Sequence, residues 1–314
     1  MPEDKGFYAR AHKAFEEKFM PAHKGVIFNR ERVYNFLGVK NTPGHTPLKL
    51  AIGQVLYKLS DKNIDNKNPL LEQVSRDSYR IIERELHEID WQGGGVKLPL
   101  NIRWPYGVDD TTEFGFEDSI IIHPKDVIGI AGEGNRGKTC LAMNFMLNNL
   151  DTFPSSTYFI SENEHLFPDR IAKFDWVTYM NGNGKPKFKL VKLTENFQDL
   201  IQPEGMNIFD WVDMPDEPWK IGQIFKKASD KLTTGLAFIC MQKRSYKKFA
   251  VGGEAAMDYA SVFFTLSYDQ SLSSNVLKVE KVKAWKQVNP NYRKFKFAIQ
   301  GGNGAKLFAI EEIK

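Results

Sequence analysis

Cysteine is nearly missing from this chain: two residues in 314, Cys140 and Cys240. Each sits inside an apolar run and reads as a reduced core residue, which suits the cytoplasm or a nucleoid rather than secretion. Long hydrophobic stretches are missing too. No segment approaches the ~20 apolar residues that a bilayer span needs. The opening residues, MPEDKGFYARAHKAFEEKF, hold no apolar signal core. A large excess of one charge is absent as well: 43 Lys and Arg against 39 Asp and Glu leave +4. That balance permits an anionic partner without demanding one. These absences point to a soluble, intracellular, cytoplasmic protein without a membrane partner. The length suits one large or two modest domains.

One motif dominates what is present. Gly132-Glu133-Gly134-Asn135-Arg136-Gly137-Lys138-Thr139 fits G-x-x-x-x-G-K-[ST], the phosphate-binding loop. Both flanks agree with it. Asp126 to Ala131 reads as a buried strand, and Cys140 to Leu150 has the apolar spacing of a helix. Glycines let backbone N–H groups curl round a phosphate, and a helix N-terminus adds partial positive charge. Residues 132–140 are therefore the expected nucleotide cradle. Lys138 would reach the β- and γ-phosphates of ATP, and the Thr139 hydroxyl would hold Mg²⁺. A plain glycine turn would leave Lys138-Thr139 unexplained.

The first part of the chain has another texture. Tyr8 to Phe19 is an amphipathic helix candidate, and Asn29 to Leu37 sets Val33, Phe36 and Leu37 on one helical face. A third helix is expected from Thr46-Pro47, with Thr46 as N-cap and Ile52, Val55, Leu56 and Leu59 on one face. Residues 70–74 and 79–82 flank a polar turn, which predicts a β-hairpin. Helices followed by a hairpin resemble a winged helix, expected over residues 1–92. Its recognition helix would present Lys49, Gln54 and Lys58, and its wing tip Arg76, to duplex DNA. Protein docking or oligomerisation is the alternative use of such a module. Gln92 to Gly95 marks a linker, taken as 93–97, and an ATPase domain is expected over 98–314. Trp104 and Tyr106 read as core residues, with adenine stacking the alternative.

Beyond the loop, apolar strands alternate with helices, which indicates a mainly parallel sheet covered on both faces. Thr157 to Ser161 ends in Glu162-Asn163-Glu164, and a carboxylate there can orient an attacking water. Glu162 and Glu164 are both within reach of that role. Phe188 to Leu193 reads as a further strand. Met206 to Asp210 ends an apolar run in an acid, the pattern in which an aspartate holds Mg²⁺ opposite Thr139; Asp213 is the fallback. Pro218 to Leu232 is an amphipathic helix, and Gly235 to Met241 a strand ending at Gln242. Gly132, Glu162, Asp210 and Gln242 thus all fall at strand carboxyl ends, where such sheets bind ligands. The last third turns to four strands, 261–268, 276–284, 294–299 and 306–310, expected as an antiparallel extension. Two basic segments lie there: Lys243, Arg244, Lys247 and Lys248 with Gly252 and Gly253, and Lys278 to Lys296. Tyr246, Trp285 and Tyr292 interleave them, as base-stacking on single strands requires; a solvated basic edge is the alternative reading.

Together GEGNRGKT, YFISEN, NIFDW, FICMQK with a later GGE, and VEKVKAWK resemble the RecA-like ATPases, over about residues 100 to 310. The similarity is to the branch holding DnaB-type helicases, KaiC-type ATPases and phage helicase-like proteins. That resemblance implies Glu162 as catalytic glutamate, Asp210 as magnesium-site acid and Gln242 as γ-phosphate sensor. It implies that residues 243–254 form a DNA-binding loop, and that Lys281 and Lys283 reach a neighbouring subunit's nucleotide. A ring or filament is implied, a hexamer being the expected ring. Lysine replaces the family's arginine in that trans pair, which removes a bidentate phosphate contact. The N-terminal part does not resemble the helical collar of replicative helicases. The expectation is an oligomeric, DNA-associated ATP-hydrolysing motor. Its rivals are an ATP-dependent switch or loader and, less well supported, a nucleoside-kinase-type phosphotransferase, whose lid and acceptor site the sequence does not supply.

Overall fold

The computed structural model describes residues 3–63, 65–84, 98–108, 112–161, 164–193, 197–212, 220–243, 255–300 and 305–313. The chain separates into two compact units, Met1–Asp90 and Trp91–Lys314. The linker expected at 93–97 lies outside the described residues.

In the first unit α1 (Glu3–Ala14) runs through one π turn (Phe15–Phe19) into the short α2 (Met20–Ala22). Next come β1 (Ile27–Asn29), α3 (Arg30–Phe36) and α4 (Thr46–Leu59), then the hairpin β2 (Leu71–Ser75) and β3 (Ser78–Ile81). Asn29 starts α3 because its side-chain oxygen accepts the Arg32 N–H at 2.9 Å, filling one of the four unpaired donors of a helix start. Helix α4 begins one residue earlier than expected: His45 is the N-cap, and Thr46 makes no capping bond. A 3₁₀ turn over Pro43–His45 brings the chain in already helical, so no side-chain cap is required. Phe15, Phe19, Phe28, Val33, Ile52, Val55, Leu56 and Leu71 form the core. Phe36, expected on that core face, is 46% exposed. The expected hairpin is present and gains a third strand, since β1 pairs antiparallel with β3. Three residues are too few for periodicity to reveal that strand.

The second unit is built on a nine-stranded sheet. Its strands are β4 (Val127–Gly132), β5 (Ser156–Ile160), β6 (Phe188–Lys192), β7 (Met206–Val212), β8 (Leu236–Gln242), β9 (Val262–Asp269), β10 (Ser274–Val282), β11 (Lys294–Gln300) and β12 (Lys306–Ile313). Their spatial order is β12-β11-β10-β9-β4-β8-β7-β5-β6. From β9 through β6 every pairing is parallel; from β9 to β12 every pairing is antiparallel. The sequence therefore misplaced the changeover by one strand, because β9 itself runs parallel beside β4. An eight-residue apolar strand reads alike in either direction, and only its neighbour decides.

Helices cover both faces. Helix α5 (Lys138–Asn148) packs on one side with Phe145, Phe238, Cys240 and Phe264, and Trp104 joins them as a core residue. Helix α7 (Ile221–Lys231) packs on the other against Phe159, Phe209, Ile239 and Phe263, beside the short α8 (Ala255–Tyr259). Between β5 and β6 lies α6 (Phe167–Ile171). Neighbouring residues such as Ile239 and Cys240 enter opposite cores, which is the period of two that a doubly covered strand requires. At Gly129 a Cβ would stand 2.6 Å from the Phe263 ring and 3.0 Å from that of Phe225, so only glycine lets these rings close on β4. Among the described residues no helix is long and apolar enough to cross a membrane.

Candidate functional site

Strand β4 delivers the glycine loop to its carboxyl end, and α5 starts at Lys138 immediately after it. The loop closes through two left-handed residues, Asn135 (φ 58°) and Gly137 (φ 95°). Gly137 is doubly constrained, since a Cβ there would also sit 2.4 Å from Ile299 Cδ1. Gly132 is the other tight position, its notional Cβ lying 2.9 Å from Leu266 Cβ. Gly134 and Asn135 are exposed, so the loop's crest faces solvent. Arg136 folds back, 3.6 Å from Glu133 and 4.6 Å over the Tyr268 ring.

Lys138 is buried, and its ammonium donates to the carbonyls of Gly132 (2.9 Å) and Glu133 (2.8 Å) and to Gln242 Oε1 (3.3 Å). Gln242 is brought there by register, because Gly132 and Gln242 are direct partners across β4 and β8. Thr139 Oγ1 donates to Asp210 Oδ1 at 3.1 Å, while the Tyr158 hydroxyl donates to Asp210 Oδ2 at 2.6 Å. Desolvation raises the Asp210 carboxyl above the usual carboxylate range, opposed by these two hydrogen bonds and by the charges of Arg170 and Lys138. Burial, then the Asp210 charge, pushes the Tyr158 phenol well above its ordinary value, so it stays a donor. Ser161 fastens the same corner: its N–H and hydroxyl both donate to the Asp210 carbonyl, and its oxygen accepts the Trp211 N–H. Three of the four residues expected at strand carboxyl ends from separate motifs, Gly132, Asp210 and Gln242, therefore share one corner with Lys138 and Thr139.

Chemically this corner offers a cation, a hydroxyl beside a carboxylate, and a loop crest open to solvent. Hydroxyl and carboxylate oxygens are hard donors of the kind magnesium takes alongside phosphates, usually with only one or two protein carboxylates. Among the described residues no cluster of three or more His, Cys, Asp or Glu side chains could hold a metal by itself. Cys140 contributes no thiolate. Its Sγ faces the Ala305 carbonyl at 3.3 Å, and burial pushes the thiol up to about 12.

Other expected residues fall elsewhere. Glu162, Asp213, Arg244, Lys247, Lys248, Gly252 and Gly253 lie outside the described residues. Glu164 pairs with Lys192 on the edge strand β6 at 2.9 Å, which draws its carboxylate away from the loop. Lys243, expected in an exposed DNA-binding loop, is buried. It lines an open groove with Thr265, Lys278, Glu280 and Lys294. Lys281 donates to the Met257 and Asp258 carbonyls at 2.6 and 2.8 Å, closing the last turn of α8. Lys281 and Lys283 sit near Val262, which pairs with Ile128 at the amino end of β4. They are about 13 Å along the sheet from Gly132, too far to serve the same chain's loop. Part of the basic run Lys278–Lys296 is ion-paired within the sheet: Lys278 pairs with Glu280, Arg293 with Glu312 and Lys296 with Glu311. In the first unit Lys49 lies over the Tyr34 ring and Lys58 over the Tyr8 ring, while Gln54 and Arg76 are exposed.

Sequence reasoning missed Tyr158, Ser161 and Arg170. Periodicity marks Tyr158 as a strand residue but says nothing about where its hydroxyl ends, which is decided by the β5–β7 pairing. No protein-family model matches the chain, and no curated protein matches it at a significant level.

Proposed function

We propose that the second unit is a RecA-like P-loop ATPase that binds ATP with Mg²⁺ and hydrolyses it, acting in an oligomer on DNA. The observation that carries this reading is the meeting of Lys138, Thr139, Asp210 and Gln242 at the carboxyl ends of β4, β7 and β8. A glycine turn alone needs none of those partners. Lys138 supplies positive charge to the phosphates, and the loop's N–H groups and the start of α5 add to it. Thr139 and Asp210 would hold the magnesium ion, which when bound neutralises charge on the transferred phosphoryl group. Gln242 touches the Lys138 ammonium and leads directly into residues 243–254, so a change at the phosphates reaches that segment through one side chain. Glu162 is assigned the attacking water by resemblance. Lys281 is committed to α8, which leaves exposed Lys283 as the cation offered to a neighbouring subunit.

One observation favours a second reading, an ATP-dependent switch or loader. The first unit has the helix and hairpin order of a winged helix, yet two of its four expected DNA-facing side chains, Lys49 and Lys58, lie over its own tyrosines. Docking a protein partner then becomes its better use. Steady-state ATP hydrolysis with and without single-stranded DNA, beside light scattering with a non-hydrolysable ATP analogue, separates the two. DNA-stimulated turnover and nucleotide-dependent assembly support the motor. Slow turnover that DNA leaves unchanged, with assembly intact, supports the switch. No turnover and no assembly overturn both.

A further inference from the structure

Asp210 has two carboxylate oxygens, and a helix and a strand claim one each. Oδ1 accepts from Thr139 at 3.1 Å, and Oδ2 accepts from Tyr158 at 2.6 Å. Tyr158 is not free to choose another direction. Its side chain is fully buried, its ring packs 5.2 Å from that of Phe167 on α6, and β5 is held between β6 and β7. The backbone of Asp210 is irregular, because the β7–β8 register shifts between Phe209 and Val212. Ser161 fixes that backbone from the end of β5, and Tyr158, three residues earlier on the same strand, fixes the carboxylate. An aspartate on an irregular strand end would otherwise rotate about its side-chain bonds.

We propose that Tyr158 is a positioning residue that occupies Oδ2 of Asp210 and so turns Oδ1 toward Thr139, presetting the pair for magnesium. The proposal rests on the reading that Thr139 and Asp210 hold the metal. Hydrogen-bond partners behind metal ligands set their orientation, and losing one commonly weakens metal binding about 10- to 100-fold. The competing role is only structural: a buried hydroxyl needs an acceptor and Asp210 supplies it.

The test measures affinity of the full chain for a fluorescent ADP analogue as MgCl₂ is titrated, with EDTA setting the metal-free baseline. In Tyr158→Phe the magnesium concentration for half effect should rise about tenfold, while metal-free ADP affinity should stay within about twofold, the phenol touching no part of the glycine loop. Tyr158→Met, which fills much of the ring's space without a hydroxyl, gives the same readout should Tyr158→Phe not fold. In an Asp210→Asn background, adding Tyr158→Phe should change the magnesium response no further. A lower melting temperature with an unaltered magnesium midpoint overturns the positioning role. A wild-type chain that binds the analogue without any response to magnesium instead overturns the metal reading itself, so the two failures are distinct.

Discussion

Thr139 and Asp210 stand 71 positions apart and meet at 3.1 Å, hydroxyl to carboxylate. One lies in the first turn of a helix and the other near the carboxyl end of a strand two places along the sheet, so only the β4-β8-β7 order brings them together. The pair joins what the glycine loop announces to what the sheet arranges. Without it the loop is a turn; under the function proposed above, the pair would hold the metal beside the phosphates.

Gly137 makes the loop's shape testable apart from its chemistry. Gly137→Ala combines a φ of 95° with a methyl group 2.4 Å from Ile299 Cδ1. Destabilisation of about 1–3 kcal/mol is expected from backbone strain and overpacking together. Urea unfolding checks it, and Ile299→Ala should recover the steric share but not the backbone share. Full recovery would show that φ carries no cost here.

Glu117 gives a pH-dependent stability remote from the loop. Its half-buried carboxylate accepts the Trp104 N–H at 2.6 Å, yet desolvation, aided by Glu113, raises its pKa against the hydrogen bonds and Arg103. A carboxyl with a raised native pKa binds its proton more tightly folded than unfolded, so its stabilising share is full at low pH and falls as pH climbs through the carboxylate range. Glu117→Gln cannot ionise. The variant should gain on the wild type between about pH 4 and 7, by under about 1 kcal/mol because solvent screens a half-buried group. Denaturation midpoints at both ends of that window decide; a gap that shrinks with rising pH contradicts the sign.

Lys281 should matter to the fold of its own chain. Its ammonium satisfies two carbonyls at the end of α8, where a cation also complements the helix dipole. Lys281→Met keeps the stem and removes the donors, which should cost about 1–2 kcal/mol. Lys283→Met, at an exposed position, should leave stability within about 0.5 kcal/mol. Equal effects of the two substitutions on unfolding would place both lysines in one role.

Much of the second unit could be read before the structure. β4, β5, β7 and β8 are buried on both faces, so their apolar runs are nearly unbroken, and the glycine or polar residue that interrupts each run falls at or near its carboxyl end. Gly132, Asp210 and Gln242 were legible for that reason. Direction was not, as β9 shows. Nor could a basic segment be told from a paired one, because the partners of Arg293 and Lys296 arrive from β12 through a register that sequence does not print. Tyr158 was hidden for the same reason: its importance lies in one cross-strand hydroxyl contact. In the first unit α4 was clear from its four-residue apolar stripe, whereas the three-residue β1 left no periodic trace.

The central claim, that this corner is an ATP site, is met most directly by calorimetric titration of the full chain with ATPγS in the presence of MgCl₂. The account predicts saturable binding by the wild type and a loss on the order of a hundredfold in Lys138→Ala, with both proteins equally folded by circular dichroism. Binding of equal strength by Lys138→Ala, or no binding by the folded wild type, would contradict it.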